Sequence, residues 1–158
     1  MGKINLQKVI VGGLIAGVVL NAIDYVVFNM MLKDQMAAAM TALGKPTAAT
    51  TSQMISFVVL DFVIGVFLVW LYAAVRPRFG AGPATAAKAG VAAWFIGGLL
   101  VNVFLGILGI WPQNFLIIAS VVGLVEWPLA TVIGAKFYTE GAGMGAGMGA
   151  GAGMGARM

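Results

Sequence analysis

Apolar residues fill four long stretches of the chain, and charged or turn-forming residues collect between them. The stretches cover residues 9–32, 53–75, 89–110 and 114–135. A hydrocarbon layer about 30 Å thick is crossed by around 20 helical residues at 1.5 Å rise, so each stretch is long enough to span it. The breaks have physical causes. Lys33, Asp34 and LGKPT (43–47) close the first run. RPRFGAGP (76–83) closes the second with two cations and two prolines, and proline does not continue a helix. WPQN (111–114) makes a tight turn whose indole suits the membrane interface. The pattern predicts an all-α integral membrane fold, a four-transmembrane-helix antiparallel bundle over residues 1–139. A flexible Gly/Ala/Met-rich tail is expected over 140–158. DQMAAAMTAL (34–43) predicts a short helix lying on the membrane surface. Lys3 and Lys8 resemble the start of a signal peptide. The apolar run after them, however, is longer than the roughly 7–15 residues of such a segment, and it is expected to remain as an anchor.

Composition removes the soluble alternative. Of 158 residues, 61% are hydrophobic and 9% charged, with a mean hydropathy of +1.03, whereas a soluble domain carries about a quarter charged residues. The net charge of +4 matters less than where the cations fall. Lys3, Lys8, Arg76, Arg78, Lys88, Lys136 and Arg157 lie on one side, and Lys33 and Lys45 on the other. By the positive-inside rule both termini are then cytoplasmic. The chain has no Cys and no His, which removes disulfides, thiolate chemistry and the usual zinc and haem ligands. A Ser–His or Cys–His pair is equally excluded, so a non-enzymatic protein without cofactor or metal is expected. Methionines four apart in the tail (Met144/Met148, Met154/Met158) and in the loop (Met36/Met40) are a weaker pointer to soft Cu(I). Expected partners are the lipid bilayer and a second copy or other membrane subunits, with no nucleic acid.

Three acids interrupt the apolar runs: Asp24, Asp61 and Glu126. Residues three and four apart share a helix face. Gly13, Gly17, Asn21, Asp24 and Phe28 therefore form one stripe, and Asp61, Gly65, Leu68 and Tyr72 a second. Gly98, Asn102, Leu105, Gly106 and Gly109 form a third, and Ala119, Gly123, Glu126, Ala130 and Phe137 a fourth. Small residues let helices approach closely in lipid, so Gly13, Gly17, Gly98 and Gly123 are expected packing positions. The polar groups should then face one another in a layer of Asn21, Asp24, Asp61, Asn102 and Glu126. An ionised carboxylate at mid-membrane costs about 2.5–3.5 kcal/mol. No Lys or Arg lies inside the four runs to neutralise one. A neutral acid costs less, and it donates a hydrogen bond to an asparagine or to the Leu124 carbonyl that Pro128 leaves free. Two readings remain open: polar glue between helices, or a site that binds or relays a cation, most simply a proton.

Gly17-x-x-x-Asn21 followed by Asp61, and Gly98-x-x-x-Asn102 followed by Glu126, suggest a parallel duplication of a helix pair. Trp70, Trp111, Tyr72 and Tyr138 lie near span ends and read as interface anchors. The segments GLIAGVVLNAIDYVV, LGKP, FLVWLYAAVRPRFGAGP and GLVEWPLATVIGAKFY together resemble a group of small bacterial four-span membrane proteins without an assigned function. The resemblance covers most of residues 10–138 and implies a bacterial inner (plasma) membrane location, with nothing about chemistry. The expected role is a self-associating protein or accessory subunit, with a small proton- or cation-coupled transporter as the alternative.

Overall fold

The computed structural model describes residues 3–141. Among them every regular element is helical. Helix α1 (Leu6–Val26) runs into a π-helical turn (Val27–Met31), and α2 (Lys33–Ala42) is the short helix expected in the first loop. Helix α3 is Thr51–Phe79. Helix α4 (Pro83–Trp94) passes through a second π-helical turn (Phe95–Leu99) into α5 (Leu100–Ile107), and α6 is Gln113–Ala135. Counted through the π turns, four helices are long and apolar enough to cross a membrane: Leu6–Met31, Thr51–Phe79, Pro83–Ile107 and Gln113–Ala135. They make a multi-pass bundle whose outer surface carries large apolar side chains such as Phe57, Ile96 and Val125. Most of the tail expected at 140–158 lies outside the described residues.

Local chemistry sets the helix ends. Asn5 caps α1 by accepting the Lys8 backbone N–H. Thr50 and Gln53 cap α3 reciprocally, each satisfying a backbone N–H of the other. Helix α3 continues through Arg76, Pro77 and Arg78, about one turn beyond the break read from the sequence, and stops at Gly80. Pro77 is tolerated because only the last helical turn loses a bond. Gly80 and Gly82 take φ values of 84° and 131°, a region that side chains rarely allow. Pro83 then opens α4 at its first position, six residues earlier than expected.

Glycines set the spacing between helices. A methyl group on Gly13 would overlap Val66, and one on Gly17 would sit 2.5 Å from the Phe62 ring. Across the same seam a Cβ on Gly65 would meet the Gly13 carbonyl and the Gly17 amide. Helix α1 thus lies directly on α3, as the Gly13 and Gly17 stripe implied. Gly12 and Gly134 bring α1 against α6 in the same way, and Gly90 brings α4 against Pro128 of α6.

Two apolar clusters fill the interior. The larger, at the end carrying most of the cations, contains Leu20, Leu68, Val69, Tyr72, Ala130 and Tyr138. The smaller, at the opposite end, contains Val27, Leu32, Phe115 and Leu116. Trp111 stacks on Phe115 at 4.9 Å there. Tyr72 and Tyr138 correct the interface-anchor reading: they are 4% and 5% exposed. Their rings pack edge-to-face, and their hydroxyls accept the backbone N–H groups of Gly82 and Asn5. Each phenol thus ties a loop or terminus to the bundle, which keeps it from lipid headgroups. The Arg76 guanidinium lies over the Tyr138 ring and 3.1 Å from Glu140. Its Nε and Nη1 are nevertheless aimed at no acceptor, so the pair acts by proximity of charge and adds little at this exposure.

Candidate functional site: a carboxyl cluster between two apolar cores

Asp24, Asp61 and Glu126 come from three different helices and meet inside the bundle. Asp24 and Glu126 are near neighbours, and both are close enough to Asp61 to feel its charge. Asp61 is 8% exposed and Glu126 4%, while Asp24 is half-buried. The helix directions explain the convergence. Side chains lean toward the N-terminus of their own helix. Asp24 on α1 therefore leans toward the cation-rich end, while Asp61 and Glu126, on helices running the other way, lean toward Asp24. The Gly13–Gly17–Gly65 seam brings α1 and α3 close enough for that lean to suffice.

Along each helix the cluster falls between the two apolar cores. On α1, Asp24 lies between Leu20 of one core and Val27 of the other; on α6, Glu126 lies between Leu116 and Ala130. The acids form a polar layer across the interior, as the stripes predicted. Glu126 Oε1 is buried and receives no N–H or hydroxyl donor. Its neighbour within reach is the Asp24 carboxyl. Two carboxyl groups hydrogen-bond only if one of them carries a proton, so a proton shared between Asp24 and Glu126 satisfies the orphaned oxygen. A buried acceptor left without that donor costs about 1–3 kcal/mol, more when charged. Among the described residues no three such side chains are arranged to hold a metal ion.

The asparagines divide. Asn21 flanks the cluster, but its amide donates to the Gly17 carbonyl at 2.9 Å and, across the seam, to the Val58 carbonyl of α3 at 3.3 Å. It fastens α1 to α3 beside the acids. Asn102 instead donates to the Ser120 hydroxyl at 3.0 Å, and that hydroxyl donates onward to the Leu116 carbonyl. It lines a groove between α5 and α6. The π-helical turn at Phe95–Leu99 accounts for its place. An extra residue in one turn rotates everything downstream by roughly 100°, which carries Gly98, Asn102 and Leu105 round to the side of the span that packs on α6, where they are half-buried while Gly97, Val101 and Phe104 are exposed. In α4 the same side is Thr85, Ala86, Ala89, Gly90 and Ala93.

Gly98 and Gly123 serve packing through one side chain. Both lie against the indole of Trp94, whose N–H donates to the Ser120 carbonyl at 3.0 Å. Ser120 and Trp94 are the members of this network that the stripes did not single out. The available signal was a hydroxyl three residues from Gly123 and an indole four residues before Gly98. In both helix pairs an asparagine-bearing helix packs on an acid-bearing one, but the π turns fall at different places in the two. The chain matches no protein-family model, no curated protein and no solved structure.

Proposed function

We propose that this multi-pass membrane protein binds and releases a proton at the Asp24–Asp61–Glu126 cluster, as a small non-enzymatic, proton-linked transporter. One observation carries the reading: a buried Glu126 oxygen without a donor lies beside a second carboxyl, with Asp61 next to both. Intramembrane acids that face a bundle interior mark ion and proton pathways. Asp24, the half-buried member, exchanges the proton, and Glu126, the most buried, retains it. The bacterial inner membrane, implied by the resemblance, and cytoplasmic termini, implied by the distribution of cations, complete the proposal.

The test is proton flux in proteoliposomes that hold a pH-sensitive dye, under an imposed membrane potential. Flux above that of empty vesicles is expected, falling at least tenfold in the Asp24→Asn, Asp61→Asn, Glu126→Gln triple variant. Equal flux in variant and parent would end the reading. A second reading, a self-associating protein or accessory subunit, is favoured by a different observation. The third span has only 11% of its most apolar stretch buried, against 22% to 33% in the other three.

A further inference from the structure

We infer that Arg76, lying over Tyr138 at the cation-rich end of the bundle, binds the phosphate of an anionic lipid headgroup. A guanidinium keeps its charge in a protein and carries five N–H donors in a planar fork. The Arg76 side chain is only 21% exposed, and its Nε and Nη1 are buried without an acceptor among the described residues. Each edge of the fork includes one of these two nitrogens, so neither edge is satisfied. A buried donor without an acceptor is costly, and more so when it is charged. Glu140 brings an oxygen within 3.1 Å of Nη1, yet no N–H is aimed at it. The Tyr138 ring, its centroid 5.7 Å from the guanidinium carbon, holds the cation from one side by its π face and supplies no oxygen. What the arginine lacks is an anion with several oxygens to meet the fork two at a time, and a phosphate is such an anion.

Depth names the source of that phosphate. Helix α3 has 29 residues, about 43 Å at 1.5 Å each, against a hydrocarbon layer about 30 Å thick. Its ends therefore stand among the headgroups, and Arg76 is three residues from one of them. Charge at that end is one-sided. Lys3, Lys8, Arg76, Arg78, Lys88 and Lys136 gather there, and Glu140 is the sole acid beside them among the described residues. Asp34 lies on α2 at the other end, and the remaining three acids lie in the interior. Six cations against one acid attract anionic lipid. Glu140 is a weak competitor for Arg76. Thr139 and Glu140 lie beyond the last helix, the Glu140 side chain is 37% exposed, and so exposed an ion pair is worth little. A headgroup phosphate displaces this carboxylate and takes the N–H groups it leaves unsatisfied. The site shares no residue with the carboxyl cluster, so either reading can fail without the other.

Native mass spectrometry of the full-length protein in detergent at physiological salt counts the lipids it retains. The probes are phosphatidylglycerol and phosphatidylcholine with the same acyl chains, and inorganic phosphate as a soluble competitor. Phosphatidylglycerol should bind at least about fivefold more tightly, the worth of one cation near an anionic headgroup. Arg76→Gln should bring it down to the phosphatidylcholine level. Arg78→Gln removes the same charge from an exposed position, where salt screens it, and should lower binding less than about twofold. Arg76→Lys keeps the charge but not the fork. It should lose most of the preference, and it stands in for Arg76→Gln if that variant unfolds. Glu140→Gln should tighten binding about two- to fivefold, because the competing carboxylate is gone. Equal binding of the two lipids, equal losses in the Arg76 and Arg78 variants, full binding in Arg76→Lys, or no gain in Glu140→Gln would overturn the assignment. Displacement of phosphatidylglycerol by millimolar inorganic phosphate would overturn the lipid source and give the site to a soluble phosphate.

Discussion

Gly65→Leu is expected to break the bundle's central seam. A Cβ there meets the Gly13 carbonyl and the Gly17 amide, which are backbone atoms that cannot rotate aside. The helices must separate, and every contact that α1 makes with α3 loosens with them. Overpacking a well-fitted interior costs about 1–3 kcal/mol, and an obstruction made of backbone on the facing helix belongs at the upper end, at about 3 kcal/mol. The effect extends to the cluster, because Asp24 and Asp61 ride on the two helices forced apart. Detergent-solubilised protein followed through thermal or denaturant unfolding reads the loss directly. Val63→Leu, on the exposed side of the same helix, is the control and should change stability by less than about 0.5 kcal/mol. Equal stability of the two variants would mean that α1 and α3 do not lie in contact.

The second large effect concerns Glu126. Glu126→Ala leaves a void in a site only 4% exposed and removes the partner of the Asp24 carboxyl. Together these amount to a loss of about 2–4 kcal/mol. Glu126→Gln keeps the volume and offers an N–H to Asp24, so its cost should stay within about 1 kcal/mol. The order of the two variants discriminates sharply. An acid facing lipid would be relieved by alanine, with a gain of the order of 2–3 kcal/mol. Unfolding measurements in which alanine stabilises and glutamine is neutral would place Glu126 on the outside of the bundle.

Much of this architecture can be read from residue spacing. Four runs of sufficient length, separated by cations, prolines and glycines, yield four helices. Stripes of glycine beside acids yield the inward faces of the first, second and fourth spans, except that Phe137, beyond the end of α6, is exposed. Asp61, Gly65, Leu68 and Tyr72 are all buried, as their three- and four-residue spacing requires. In the third span Gly98, Asn102 and Leu105 are likewise half-buried toward α6, but their alignment with Ala86, Ala89 and Ala93 of α4 depends on the π-helical turn at Phe95–Leu99, an inserted residue that no spacing rule anticipates. The tyrosines near the cation-rich end are a different case. Sequence position places Tyr72 and Tyr138 near the interface, but only the fold shows that each hydroxyl has a backbone amide to receive. Pairing among the acids was legible as depth and face. That Asp24 and Glu126 come to be neighbours follows from helix direction and side-chain lean, which need three dimensions.

Convergence of carboxyls from three helices onto a common proton is most directly tested by infrared spectroscopy of the protein in lipid. A protonated carboxyl has a C=O stretch distinct from that of a carboxylate, and the band shifts on exchange into deuterated water. The full-length protein at neutral pH should show such a band. Asp24→Asn and Asp61→Asn should each displace the component that Glu126→Gln removes, because the groups share one hydrogen-bonded environment. Fully ionised acids at neutral pH, or three bands that vanish one by one without moving the others, would show that these side chains do not meet.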